Sequence, residues 1–301
     1  MAADVMLSDL DQRPELRGAV LRLFRQAGPG RQHAVAGDPA RMGLEPEARD
    51  LDETLGVLLA LAGDHVAGAL ACCPYSAEQL TLWGPVCRSA DEEAVAGLLV
   101  RSLRGVLRTG SYESVRVQVD HRNRCLRSFF LRQGLSIWKD NVVYEACLHA
   151  GGSGGVGAPA TPVDLDGPAG VQRLSFVHLE AVRDLLQGAF PESGHFDESL
   201  ALREHQGYRH YGLWQDGQLV AGAALRHDPL RAWLSLIAVA PEQRGRGWAQ
   251  RLMRGIMYHE WASGVRALGL EVLSDNAPAM RVYQAVGMQR LFTTTILTGP
   301  V

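Results

Sequence analysis

Along the second half of the chain the apolar positions change period in a regular order. Val171–Ser175 reads as a strand, and His178–Ala189 and Asp197–Glu204 read as helices. Two apolar runs, His210–Trp214 and Leu219–Leu225, flank a short turn and predict a hairpin. Ala232–Ala240 is a long apolar strand. Gly247–Ser263 places Ala249, Leu252, Met253, Ile256 and Trp261 at helical spacing. Ala267–Leu273 is a buried strand. Asn276 can cap a helix that tolerates Pro278 in its first turn and ends at Gly287. Phe292–Leu297 is expected to close the sheet. Helices and strands alternating around one mixed sheet predict an α/β (α+β) fold.

The first half repeats this pattern. Gly63-Asp64-His65-Val66-Ala67-Gly68-Ala69 matches Gly217-Gln218-Leu219-Val220-Ala221-Gly222-Ala223 at an offset of 217 − 63 = 154. Asn123-x6-Phe130-x3-Gly134-Leu135 matches Asn276-x6-Tyr283-x3-Gly287-Met288 at 276 − 123 = 153. Two separate segments agreeing within one residue predict one fold used twice. Between the halves, residues 150–170 are rich in Gly, Ala and Pro and cannot bury enough surface to order themselves, as in a linker. The expected domains are therefore 1–149 and 171–301.

Composition removes several function classes. With 47% hydrophobic and 21% charged residues among 301, the chain is ordinary globular material. The longest apolar run, Val66–Cys73, is far too short for a membrane span, and the acidic start (Asp4, Asp9, Asp11) does not resemble a secretory signal. A net charge of −3 argues against broad nucleic-acid binding. Cys72, Cys73, Cys87, Cys125 and Cys147 show no metal-ligand spacing. Reduced thiols, no metal and a cytoplasmic location are expected.

The chemistry concentrates where Leu234–Ala240 runs into Pro-Glu-Gln-Arg244-Gly245-Arg246-Gly247-Trp248-Ala249 and a helix begins. Gly245 and Gly247 let the backbone bend and approach a ligand closely. Free amides at the helix start, its partial positive charge, Arg244 and Arg246 together form an anion cradle suited to a diphosphate. A glycine-rich turn with two solvated arginines would carry similar residues. The spacing distinguishes them: Asn276 and Tyr283 follow Gly247 by 29 and 36 residues, just past the next strand, which brings them beside the same cleft. No Gly-Lys-Ser/Thr follows the glycines, so a P-loop is disfavoured.

Strand, Arg-x-x-Gly-x-Ala, helix, strand and Asn-x-x-Ala-x-x-x-Tyr-x-x-x-Gly resemble the GNAT superfamily of acyl-CoA-dependent N-acyltransferases. The resemblance covers Val171 to Leu297 directly and the first half through the repeat. It implies two tandem GNAT-like domains and acetyl-CoA as co-substrate. The CoA pyrophosphate would fall on Arg244, Gly245, Arg246, Gly247, Trp248 and Ala249. The pantetheine arm and acyl carbonyl would meet the backbone of Ile237, Ala238 and Val239, with Asn276 near the pantetheine and Tyr283 facing the thioester sulfur. The acceptor would be a small-molecule or peptide amine. For the base, Glu271 on its strand is the first candidate, with His227 and Asp228 as alternatives. The tandem layout also resembles mycothiol synthase.

The first half departs from the pattern. At the offset of 154, Arg244, Gly245 and Gly247 map to Ala90, Asp91 and Glu93, and Tyr283 maps to Phe130. Carboxylates would repel a pyrophosphate and Phe130 has no proton to give. The expectation is a degenerate first copy and one active site, in the second domain. Asp91–Glu93 then serve as first-turn residues of a helix Asp91–Leu107, with Arg101, Arg104 and Arg108 on its solvated face. A rival from another class is an acyl-CoA sensor without turnover, to which the Tyr283 phenol would be superfluous.

Overall fold

The computed structural model describes residues 5–25, 33–34, 51–52, 54–76, 78–88, 91–107, 112–148, 170–191, 207–227 and 230–300. Apart from one short extra strand, β2, in the first half, the same order of elements runs through it twice. In the first pass come β1 (Val5–Asp9), α1 (Arg17–Arg25), β2 (His33–Ala34), β3 (Gly56–Ala62), β4 (His65–Pro74), β5 (Gln79–Cys87), α2 (Glu92–Leu107), β6 (Ser114–Asp120), α3 (Arg124–Arg132) and β7 (Ser136–Cys147). The second pass comprises β8 (Val171–Leu174), α4 (Leu179–Ala189), β9 (Tyr208–Gln215), β10 (Gln218–His227), β11 (Arg231–Val239), α5 (Trp248–Ala262), β12 (Ala267–Leu273), α6 (Ala277–Ala285) and β13 (Gln289–Pro300). The mixed α/β architecture is as expected. The helix expected over 197–204, most of the 150–170 segment, and Asp228 lie outside the described residues.

The compact units do not follow the expected division at 150–170. Unit 1 is Met1–Asn141 with Phe292–Val301, and unit 2 is Val142–Leu291. Phe292–Leu297 does not close the sheet of its own half. From Thr294↔Asp120 to Pro300↔Ser114 it pairs antiparallel with β6, and Leu297 enters the unit 1 core. The far end of β7 does the converse: Val142, Tyr144, Ala146 and Leu148 join the unit 2 core with Leu252, Ile256 and Leu270. Leu148 N–H donates to Arg266 O at 2.8 Å, and Arg231 pairs with Glu145 at 3.3 Å. The physical reason lies in the repeat. Both strands carry three exposed residues, two half-buried ones and then a buried run of four, so each fits the other's place. Unit 1 is therefore made of two stretches of chain, and unit 2 is one stretch that begins within β7.

In unit 2 the sheet order is β8-β9-β10-β11-β12 followed by the end of β7. Helix α5 lays Leu252, Met253, Ile256 and Met257 on one face, against Leu234, Leu268 and Leu270. Helix α4 lays Val182, Leu185 and Leu186 on the other face, with Leu219 and Ala238. Each such fully buried side chain contributes about 1.5–3 kcal/mol, and together they fix the sheet on which the site is built. Among the described residues no helix is long and apolar enough to cross a membrane.

Candidate active site

Strands β11 and β12 pair in parallel only from Arg231↔Ala267 to Leu234↔Leu270. Against β10, Leu225 faces Leu234 but Ala224 faces Leu236, so Ser235 is the extra residue of a bulge. A bulge bends its strand and sharpens the twist. Beyond it, Leu236–Val239 stays on β10 (Ala223↔Ile237, Gly222↔Ala238, Ala221↔Val239) and pairs with no strand on the β12 side among the described residues. A wedge opens there, one wall being backbone from Ile237, Ala238 and Val239.

The turn after β11 carries the chain from that wall to α5. Pro241–Gln243 forms a single 3-10 turn; then Gly245 at φ 78° and Gly247 at φ 82° take left-handed conformations that favour glycine. Gly247 is the N-cap of α5 and has no side chain with which to cap it. The first-turn amides of α5, at Trp248, Ala249 and Gln250, are thus left for a ligand. Arg246 is exposed beside them. Arg244 does something else: its Nε and Nη2 donate to Val239 O at 3.4 Å and Ala189 O at 3.3 Å, stapling the turn to the ends of β11 and α4. Trp248 packs on the core, and its buried Nε1 has no hydrogen-bond partner among the described residues.

Asn276 caps α6, its Oδ1 accepting the Ala279 N–H at 3.2 Å. Two turns on, Tyr283 lies in the core beneath α5 and α6, only 4% exposed. Burial pushes its phenol up to about 12, so it is a protonated donor at neutral pH. The Tyr144 ring lies 6.0 Å away, and Gln284 Nε2 donates to the Tyr144 hydroxyl at 3.3 Å.

Glu271 follows Leu270, the last paired residue of β12, and is half-buried. Leu270 and Val272 point to the α5–α6 face, so Glu271 points to the opposite one. Tyr283 and Glu271 thus stand on the two faces of the sheet, with the wedge opening where β12 parts from β11. His227 is placed differently: it pairs in register with Ala232, at the start of β11 and away from the wedge, with Nε2 3.5 Å from Glu260 Oε2.

Glu260 lies outside the motifs and comes to notice only in the structure. This fully buried carboxylate accepts from Tyr211 OH at 2.6 Å and Arg209 Nη1 at 3.2 Å, tying α5 to β9. Burial, then the bond to Glu260, raise the Tyr211 phenol above its ordinary value. A signal existed: Glu260 continues the Met253, Ile256 and Met257 stripe at helical spacing.

Unit 1 builds the corresponding region differently. Four residues separate β5 from α2, against eight between β11 and α5. The glycines of the cradle are therefore absent through a shorter turn rather than replaced one for one, which corrects the mapping at offset 154. The N-terminus of α2 is capped from within, Asp91 Oδ1 accepting the Ala94 N–H at 3.1 Å. Strands β5 and β6 also part after Leu82↔Val117, but β2 pairs with β6 there (His33↔Val119, Ala34↔Gln118). Phe130, at the Tyr283 position, is fully buried.

Comparison with known proteins agrees with this geometry. Residues 179–288 match the model of the Acetyltransferase (GNAT) family. A mycothiol acetyltransferase of Actinosynnema mirum is 35% identical over 65 residues, 22% of either chain. The [ribosomal protein bS18]-alanine N-acetyltransferase of Escherichia coli is 30% identical over 99 residues, 33% of this chain and 65% of the relative. The chain thus spans about a fifth and under two thirds of these two relatives. In fold, a tandem GNAT protein from the clavulanic acid biosynthesis pathway superposes with a TM-score of 0.74 at 17% identity over 99% of this chain and 98% of the other. A GCN5-related N-acetyltransferase from Sphaerobacter thermophilus also gives 0.74 at 17% identity, over 98% and 95%. The match to the GNAT acetyltransferase family thus falls on the half that carries the uncapped helix and the open wedge, and the fold of a tandem GNAT protein is shared along the whole length.

Proposed function

We propose that unit 2 moves an acetyl group from acetyl-CoA directly to an amine, and that the chain has this one active site. The observation that carries the proposal is the uncapped N-terminus of α5, presented by Gly245 and Gly247 at the mouth of the β11–β12 wedge. GNAT members use acetyl-CoA as co-substrate. Its diphosphate would take the free amides of α5 and the Arg246 charge, with Arg244 holding the turn in shape. The pantetheine arm would lie along Ile237–Val239, whose open backbone edge offers amide donors to the acyl oxygen. Asn276 borders the same groove.

The nucleophile is a neutral amine, yet alkyl amines titrate near ~10. Glu271, on the face opposite the donor, takes the proton directly or through a water. The amine nitrogen attacks the thioester carbon, the tetrahedral intermediate collapses, and the carbon–sulfur bond breaks. Tyr283 donates its proton to the departing sulfur, the nitrogen gives up its remaining extra proton to water, and the tyrosinate is reprotonated from solvent, leaving CoA thiol and the amide. In unit 1 the internal Asp91 cap and the β2 pairing occupy the two features this chemistry requires, which supports a degenerate first copy.

The relatives' names point to two kinds of acceptor, one in mycothiol acetylation and one an alanine of a ribosomal protein, and a small-molecule or a peptide amine is compatible with this site. The test is release of CoA thiol from acetyl-CoA across a panel of small amines and peptides. Turnover with at least one amine is expected. Binding of CoA without turnover on any amine would favour a sensor.

A further inference from the structure

Strand β6 of unit 1 alternates two kinds of residue. Val115, Val117 and Val119 enter the core with α2 and α3, so Arg116 points to the opposite face of the sheet. There it is only 5% exposed, and its buried Nε has no hydrogen-bond partner among the described residues. Its contacts are aromatic: the guanidinium carbon stands 3.9 Å from the centre of the Tyr75 ring and 6.0 Å from that of Trp138. Both of these residues are 52% exposed. Thr81, in register with Arg116 on β5, adds a buried hydroxyl that likewise has no partner among the described residues. Burying a guanidinium without an anion is costly, and stacking on a ring offsets only part of that cost. Unit 2 is built otherwise. At the same third pair of its parallel ladder Trp233 faces Gly269, and the indole lies where a Cβ on Gly269 would come within 2.4 Å. An apolar plug in one unit is thus a stacked cation between two half-open rings in the other.

We infer that Arg116, Tyr75 and Trp138 form a binding site for a small aryl carboxylate, a ligand distinct from the acetyl donor. The guanidinium takes the carboxylate in a charge-assisted pair. The exposed parts of the two rings cover the flat apolar body of the ligand, and Thr81 keeps the floor beside the guanidinium polar. A neutral amide of the same shape keeps the stacking and loses the ion pair. Inorganic phosphate keeps the charge and loses the stacking.

2-Naphthoate, 2-naphthamide and inorganic phosphate are suitable probes, titrated into the full chain at pH 7 by calorimetry and ligand-observed NMR, with Arg116→Met and Trp138→Ala as variants. 2-Naphthoate is expected to bind, and the amide and phosphate to bind roughly tenfold more weakly or less well still. Arg116→Met keeps an apolar stem and should bring acid and amide to the same affinity. Trp138→Ala should weaken both naphthyl probes by roughly two- to tenfold. Trp138 is half exposed, so this variant carries the test even if Arg116→Met does not fold. Equal affinity for acid and amide in the wild type, phosphate binding as tightly as the acid, an intact preference in a folded Arg116→Met, unchanged binding in Trp138→Ala, or no binding by any probe would each overturn the proposal.

Discussion

The ring of Tyr144 lies 6.0 Å from that of Tyr283 at an interplanar angle of 50°, although the two are 139 positions apart in the chain (283 − 144). Tyr144 arrives on the end of β7, which belongs to unit 2 while the start of that strand belongs to unit 1. The proposed acid is therefore packed by a residue from the first half of the sequence.

A fragment of residues 165–301 lacks Val142, Tyr144, Ala146 and Leu148. The three large buried side chains at about 1.5–3 kcal/mol each, with a smaller share from Ala146, amount to a large part of the ~5–15 kcal/mol that holds a domain together. The fragment is expected to be insoluble or unfolded by circular dichroism, and a fragment of 136–301 to recover helical signal and a melting transition. A cooperative, fully active 165–301 would contradict the exchange of strands.

Tyr283→Phe keeps the ring and its contact with Tyr144 while removing the proton. CoA affinity should barely change, and the single-turnover rate should fall by roughly 10²–10⁴-fold. A wild-type rate would make the phenol a packing group only.

The pH dependence of that step follows from burial. The folded state favours the protonated phenol, so the stability linked to it is full below its ordinary value near ~10 and is lost as pH rises through about 12. Single-turnover rates should show no alkaline loss from this group below about pH 11. A loss centred near pH 9 that persists in Tyr283→Phe would assign the acid elsewhere.

Much of this was legible from residue pattern. The hairpins, the Ala267–Leu273 strand, the Asn276 cap and the turn through Gly245 and Gly247 each carry a local signal, and the structure places them within a residue or two. The exchange of β7 and β13 was not legible, because two strands with the same burial order fit either unit equally well. The Asp91 cap, the four-residue turn before α2 and the pairing of β2 with β6 depend on lengths and partners rather than on any one residue type. The placement of Arg244 and His227 turned on direction: one folds back on carbonyl groups, and the other ends β10 beside the start of β11, away from the wedge.

Glu260 makes a separate stability prediction. Replacing it by Ala leaves Arg209 and Tyr211 without their buried acceptor, at a cost of about 3–5 kcal/mol. Thermal unfolding should drop by several degrees while CoA affinity, set at the other end of α5, stays near wild type. A melting temperature equal to wild type would show that the network is dispensable.

The central claim is a single acetyl-donor site at the uncapped start of α5. Calorimetric titration of CoA into the full chain and into Gly247→Glu tests it most directly. One CoA per chain is expected in the wild type and none in the variant, where a left-handed φ is forced on a bulkier residue and a carboxylate enters the cradle. Two CoA per chain, or unchanged affinity in Gly247→Glu, would contradict it.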